Sequence, residues 1–376
     1  MKRALMLPAI LLCFLSFGFL GGVGEAASAT KAESAQKWDS ILAEAKKEGA
    51  VSLYTLWRPD TRVTLTKAFK QKYGINLEIT PFSRGSDLLA KVKAEQTAGL
   101  FLADIFGAGG PTLVSTMKPA GVLGPVEPLL TLPEVRDPKV WSGGKLPFMD
   151  KDKLAIALIA SKQPYIAYNS DLIKKGEITT YKDLLKPQYK GKITLNDPSV
   201  TGVGNAFLSH LALHIWSLEE AKQFLTQLIK EQEVVIQRDN RMHVESVARG
   251  KFAIALAPNP DNLASFLELK APIGVVQVKE GAFVTPAAGA FALPVKMAHP
   301  NATRVFVNWL LTAEGQETFA RSFGSPSMRA DVSTEGINPS FVAHPGEKIF
   351  PDDEESIIFR GKMLAIAKEI IEKEAK

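Results

Sequence analysis

From Val51 onward, short runs of alternating or continuous apolar residues are separated by stretches with helical spacing. Val51, Leu53 and Thr55 alternate with Ser52 and Tyr54, which predicts a strand. A helix is predicted over 60–73, with Val63, Leu65, Ala68 and Phe69 on its apolar side and Gly74 as its stop. A strand over 75–79 follows, then a helix over 86–97 capped by Ser86 with Asp87 in its first turn. The run 103–106 reads as a strand ending in Gly107, Ala108, Gly109 and Gly110. This βαβαβ order argues for a parallel sheet with helices on its faces. A second unit starts near Leu154, with strands over 154–160, 165–168, 192–195, 234–237 and 252–257 and helices from Gly202 and over 244–249. Strand character returns at Phe291 to Leu293, followed by a helix over 301–323 and an amphipathic tail. In that tail Met363, Leu364, Ile366, Ala367, Ile370 and Ile371 make one apolar stripe. The fold class is therefore α/β, in two lobes with more than one crossing between them; open α/β sheets bind ligands beyond their strand C-termini.

Composition narrows this picture. With 46% hydrophobic and 23% charged residues among 376, the chain is neither disordered nor collagen-like. A net charge of +5, spread along the chain, does not point to a nucleic-acid partner. The one cysteine, Cys13, lies in the N-terminal segment, so the remainder has no disulfide framework, cysteine-based zinc site or thiol nucleophile. That segment has a secretory layout: Lys2 and Arg3, an uncharged apolar run from Ala4 to Leu20, and Ala27-Ser28-Ala29 as a cleavage site. Residues 1–29 are read as a signal peptide; the competing reading is an uncleaved anchor, at the lower limit of spanning length.

Enzyme signals are weak. There is no G-x-S-x-G elbow, P-loop or H-E-x-x-H motif. His210 and His214 have metal-ligand spacing, but Leu211 stands where a metalloprotease has Glu, and no third ligand is nearby. Gly202-Val203-Gly204 opens a helix after a strand, yet Phe207 replaces the third glycine of a dinucleotide motif. Ser199, Thr201 and the N–H groups after Gly202 form a helix N-terminus that suits either an anion or ordinary capping.

Several segments carry a resemblance. They are Gly49 to Tyr54; Ala103-Asp104-Ile105-Phe106; Ile166 to Asn169 with Tyr181 to Leu185; Tyr189 to Ile193 with Asp197-Pro198; and Val247 to Ile254. Asn308 to Leu311 with Glu314 to Glu317, and Met328 to Val332, complete the series. In this order, from Trp38 to the C-terminus, the chain resembles the family-1 extracellular solute-binding proteins of ABC importers, in the branch of ferric-ion, thiamine, aminoethylphosphonate and sugar-phosphate binders. The resemblance implies a two-lobe periplasmic binding protein of type II, each lobe a mostly parallel sheet flanked by helices, with a hinge between them. It implies lobe one at 37–155 and 284–345, lobe two at 156–283, and a C-terminal helix, 346–376, docking across both. It further implies a monomer without cofactor or catalysis, serving a membrane permease.

Ferric-ion relatives use His or His-Tyr after the first strand, sometimes an acid after the D-I-F strand, and a Tyr-Tyr pair. At those positions this chain has Trp57-Arg58, Gly109 and Pro260-Asp261, so a metal is not the expected ligand. The relatives' anion-binding positions match Ser199, Thr201, Gly202 and Asn240. Arg58 and Arg84 would add charge-assisted contacts, or serve as solvated surface arginines. Trp57 would stack on a ligand or simply pack, Asp261 would meet an ammonium or hydroxyl or cap a helix, and Asn259 would contact ligand or turn the chain. The expected ligand is a small organic anion; the alternatives are a ferric-ion or metal-chelate binder and an exported sensory module. N-terminal sequencing of the exported protein is expected to begin near Lys31; Met1 retained in a membrane fraction would refute the signal peptide.

Overall fold

The computed structural model describes residues 36–374, so the signal-peptide reading over 1–29 lies outside them. A first sheet begins with β1 (Ala50–Thr55), α1 (Pro59–Tyr73), β2 (Asn76–Pro81), α2 (Gly85–Thr97) and β3 (Ile105–Ala108). After β4 (Leu123–Gly124), the short α3 (Pro133–Arg136) and β5 (Ala155–Ala157), the chain leaves through β6 (Ser161–Lys162). A second sheet follows: β7 (Ile166–Asn169), β8 (Ile193–Asn196), α4 (Val203–His210), α5 (Leu218–Lys230), β9 (Val235–Gln237), α6 (Asn240–Ala248), β10 (Ile254–Leu256), α7 (Pro260–Glu268) and β11 (Ile273–Val275). Then β12 (Ala282–Thr285) leads back to β13 (Ala290–Pro294), which is followed by α8 (Pro300–Leu311), α9 (Ala313–Phe323), β14 (Ile349–Pro351) and α10 (Glu354–Glu374).

The first sheet has the order β2-β1-β3-β13-β4, with β5 also on β13; the second has the order β11-β7-β10-β8-β9. β3, β7, β8, β10 and β13 are buried along their whole length, as strands covered on both faces are. Within these two sheets, parallel ladders are confined to β2-β1-β3 and β10-β8-β9. The sheets are therefore mixed rather than mostly parallel: β13 runs against β3, β4 and β5, and β7 against β10 and β11. The reason is that β7 and β13 are each entered from the opposite sheet, and antiparallel neighbours need no crossover helix.

Three local expectations also change. The helix over 301–323 is broken at Thr312, whose ψ of 166° leaves the helix and whose hydroxyl accepts the Gly315 N–H. Gly315 is needed there because a Cβ would stand 2.0 Å from the Trp309 carbonyl oxygen. Ser86 does not cap α2; the cap position is Arg84, and the Ser86 hydroxyl turns to Asp87. Val63, expected on the apolar side of α1, is exposed, while Thr61, Leu65 and Phe69 are buried.

A third sheet, β14-β12-β6, collects three chain crossings. β6 lies between β5 and β7, β12 between β11 and β13, and β14 between α9 and α10. Its Lys162 ammonium reaches both Glu347 oxygens at 2.7 and 3.0 Å, with side chains only 8% and 5% exposed. Burial pushes the Glu347 carboxyl up, but Lys162 and the His344 N–H outweigh this and hold it below its usual range. α10 enters two cores. Ile357 packs in the first-sheet core with Leu113 and Met149, whereas Met363 and Ala367 pack in the second with Phe207 and Leu211. No helix among the described residues is long and apolar enough to cross a membrane.

Removing one partner of a buried ion pair strands the other. Lys162→Met is expected to cost about 3–5 kcal/mol in urea unfolding, because Glu347 is left buried and unpaired. Adding Glu347→Leu should recover most of that loss; a loss below about 1 kcal/mol for Lys162→Met would show the pair to be dispensable.

Candidate ligand-binding cleft

A cavity of about 1170 Å³ lies between the two sheets. Its walls come largely from loops beyond strand C-termini: Leu56 and Arg58 after β1, Pro111 after β3, Thr201 and Gly202 after β8, and Pro260 after β10. α10 adds Ile357, Arg360 and Leu364, and the β12–β13 crossing adds Ala287 and Ala288.

Arg58 and Asp261 both reach this cavity, but they meet each other. The Arg58 guanidinium donates through Nη2 to the Asp261 carboxylate and through Nη1 to the Phe323 carbonyl at 3.0 Å, and lies 4.7 Å from the Phe323 ring centre. The pair joins the loop after β1 to the first turn of α7. Trp57 is only 2% exposed and packs rather than facing a ligand. Its indole N–H donates to the Ala288 carbonyl at 3.0 Å and its ring meets Phe319 edge-on at 4.8 Å. Arg84 is exposed at the start of α2 and is not among the cavity-lining residues. Asn259 lines the cavity, and its Oδ1 accepts the N–H groups of Asp261 and Asn262 at 3.1 and 3.2 Å.

The loop before α4 divides in the same way. The Ser199 hydroxyl and N–H both donate to Asp197, at 2.6 and 2.8 Å, and Arg238 Nε donates to the other oxygen. Burial pushes the Asp197 carboxyl up, but these donors outweigh it and hold it low. Ser199 is thus committed within its own loop, as short polar side chains beside a turn often are. Thr201 and Gly202 do line the cavity. Gly202 sits at the cap of α4 without a side chain to cap it, and among the first-turn N–H groups Gly204 donates to Asn196 Oδ1 at 3.2 Å. Asn196 in turn donates to Asn240 Oδ1 at 2.8 Å, which places Asn240 behind that turn rather than on the cavity wall. Gly204 is dictated by packing, since a Cβ would stand 2.1 Å from the Asn196 carbonyl oxygen.

Three features of the wall carry no sequence motif. Lys118 holds Asp150, Asp152 and Glu354 at 2.9, 2.7 and 2.7 Å; burial pushes its ammonium down, but the three carboxylates raise it well above the usual range. Arg360 donates to Asp352, which also accepts the Thr285 hydroxyl at 2.7 Å. Tyr165 has a hydroxyl without a partner and a ring 6.0 Å from Phe283. Lys118 is joined to Asp150 and Glu354 from distant parts of the chain, and Arg360 looked like the polar side of a helix, so spacing alone could not single them out.

Among the described residues, His210 and His214 belong to no group of three His, Cys, Asp or Glu placed to hold an ion. His210 is 1% exposed, both ring nitrogens lack a partner, and it sits 5.1 and 5.3 Å from the Phe283 and Phe350 rings. Burial first, then the neighbouring His214, pushes its pKa down to about 3; burial takes His243 to about 4 despite the Thr194 carbonyl.

Residues 64–346 match the family model for bacterial extracellular solute-binding proteins. Over 300 residues the chain is 24% identical to spermidine/putrescine-binding periplasmic protein 1 of Haemophilus influenzae, covering 79% of this chain and 80% of that one. The Trichodesmium protein FutA (IdiA), solved with iron and citrate, superposes with a TM-score of 0.68 at 20% identity, covering 87% of this chain and 99% of its own. AfuA of Actinobacillus pleuropneumoniae, with fructose-6-phosphate bound, gives 0.62 at 19% identity over 86% and 98%. These likenesses show the two-lobe fold.

The buried histidines predict a pH dependence. Their folded pKa values lie below the unfolded value of about 6.5, so the unfolded chain binds more protons in between. The stabilisation they give is complete above pH 6.5 and is lost as pH falls toward 4 and then 3. Each should add a slope of about 1.4 kcal/mol per pH unit in that window. His210→Phe should flatten the slope of unfolding free energy against pH; an unchanged slope would show that His210 titrates normally.

Proposed function

This chain belongs to the bacterial extracellular solute-binding protein family, whose members bind substrates for ABC importers and are not enzymes, and on that premise we propose that its own ligand is a small organic anion. The classes that fit are a phosphonate, a phosphate ester or a carboxylate. The protein is exported through a cleaved signal peptide, works in the periplasm as a monomer, and hands the ligand to its membrane permease.

The observation that carries this reading is that Arg58, on the first lobe, and Thr201 and Gly202 at the start of α4, on the second, open on one cavity. A helix N-terminus favours an anion by about 0.3–1 kcal/mol, up to about 2 when partly buried. A micromolar complex needs about 8 kcal/mol. Arginine contacts and apolar burial must therefore supply most of the rest, and Leu56, Val203, Phe283 and Phe323 offer the apolar wall. An anion that takes Arg58 from Asp261 leaves that carboxylate to an ammonium or hydroxyl on the same ligand. Only a closed cleft brings both lobes onto one molecule, so binding shifts the lobes toward closure.

Titration calorimetry against phosphonates, phosphate esters, carboxylates, spermidine, neutral sugars and ferric citrate tests this. Anions should bind, and Arg58→Ala should weaken them by about 1.5–3 kcal/mol. Ferric citrate should raise no visible phenolate-to-iron band, since Trp57, Arg58, Gly109, Pro260 and Asp261 occupy the relatives' iron positions. Binding of spermidine or sugars alone, or an Arg58→Ala variant of unchanged affinity, would overturn the reading.

A further inference from the structure

We infer that Arg360 and Tyr165 form an anion subsite on the hinge side of the cleft, built to take a carboxylate or phosphoryl group. The inference rests on the cleft being the ligand site and adds where the anionic group is held.

Arg360 lies in the second turn of α10 and Tyr165 just before β7, and both line the same cavity. They share one support, the Phe283 ring, with the Arg360 guanidinium carbon 5.7 Å and the Tyr165 ring 6.0 Å from its centre. The guanidinium is fixed in place. Nη2 donates to Asp352, whose other oxygen accepts the Thr285 hydroxyl at 2.7 Å and whose own N–H donates to the Val284 carbonyl at 2.9 Å. An arginine carries five N–H donors in a planar fork. Here Nε and Nη1 make no hydrogen bond to the described residues, and Nη2 has a second N–H, so one edge of the fork, that N–H with its Nε or Nη1 neighbour, remains for a ligand whose oxygens are spaced like those of a carboxylate or phosphoryl group.

Tyr165 points to the same chemistry. The residue is 3% exposed and its hydroxyl has no partner, an arrangement that costs stability unless a partner arrives. Burial pushes the phenol well above its usual range even against the nearby Arg360 charge, so it stays an O–H donor at neutral pH. An O–H donor that feels the Arg360 charge, on a residue lining the same cavity, calls for an acceptor with negative charge. The start of α4 belongs to the same wall: the Asn205 amide donates to the Arg360 carbonyl at 3.2 Å, and Thr201 and Gly202 line the cavity one turn earlier. When the subsite is empty, Asp352 neutralises Arg360; when it is filled, the α4 N–H groups share the added charge.

Calorimetry with phenylphosphonate and with inorganic phosphate tests the subsite. Tyr165→Phe removes only the unpartnered oxygen; it should leave the ligand-free melting temperature equal or higher and weaken phenylphosphonate roughly tenfold. Arg360→Lys keeps the charge but loses the fork, and should also weaken it roughly tenfold or more. If both variants bind phenylphosphonate as the wild type does while Arg58→Ala is weakened, the subsite is wrong and the anion reading stands. If Tyr165→Phe alone keeps wild-type affinity, the phenol has no part in the site and the subsite as drawn is overturned. If the wild type binds neither probe nor any other anion, the anion reading fails and takes the subsite with it.

Discussion

The side-by-side alignment of β6, β12 and β14 is the constraint on which the rest of the molecule depends. All three carry the chain between its halves or toward α10, so a slip in their register would shift both sheets at once. The Lys162–Glu347 pair sits at this junction. Its desolvation is offset because one ammonium engages both carboxylate oxygens and the His344 N–H donates to one of them at 3.0 Å. An apolar pair would stabilise the same strands, but it would hold them without a preferred register. Directional contacts suit a junction that must bend without sliding.

The cleft wall carries little unpaired charge. Arg58 faces Asp261, Arg360 faces Asp352, and Lys118 faces three carboxylates. Ligand entry is then an exchange of partners rather than the neutralisation of a bare charge. Exchange is inexpensive at Arg58 and Asp261, whose side chains are 42% and 61% exposed and whose pairing in water contributes little. It is costly at the buried Asp352 and Asp150. The first pair can yield to a ligand, while the other two hold the wall in shape.

What was legible in the sequence was mainly local. α1 ends where Gly74 takes a positive φ of 75°, a signal contained in one residue. The Thr312 break was not legible, because it depends on how closely Gly315 approaches the preceding helix. Strand direction was hidden as well, since it depends on which sheet the chain arrives from. Of the positions matched to the family, Arg58, Asn259, Asp261, Thr201 and Gly202 line the cavity. The matching did not reveal that Ser199, Asn240 and Asn259 spend their polar atoms on neighbouring turns, or that Trp57 lies beneath the wall. Polar side chains beside a turn answer first to nearby polar groups, here Asp197, Asn196 and the N–H groups after Asn259, and spacing does not reveal which they choose. Arg360 and Tyr165 gave no sequence signal, because tertiary packing alone brings them to one cavity.

The position of α10 bears on how the chain matures. Ile357 belongs to one core and Met363 and Ala367 to the other, about 9 Å apart along a single rigid rod. A chain made from its N-terminus onward completes neither core until α10 has left the ribosome. Long-range closure of this kind slows folding. The nascent polypeptide therefore stays incompletely folded until α10 has emerged, and that helix closes both halves in one event.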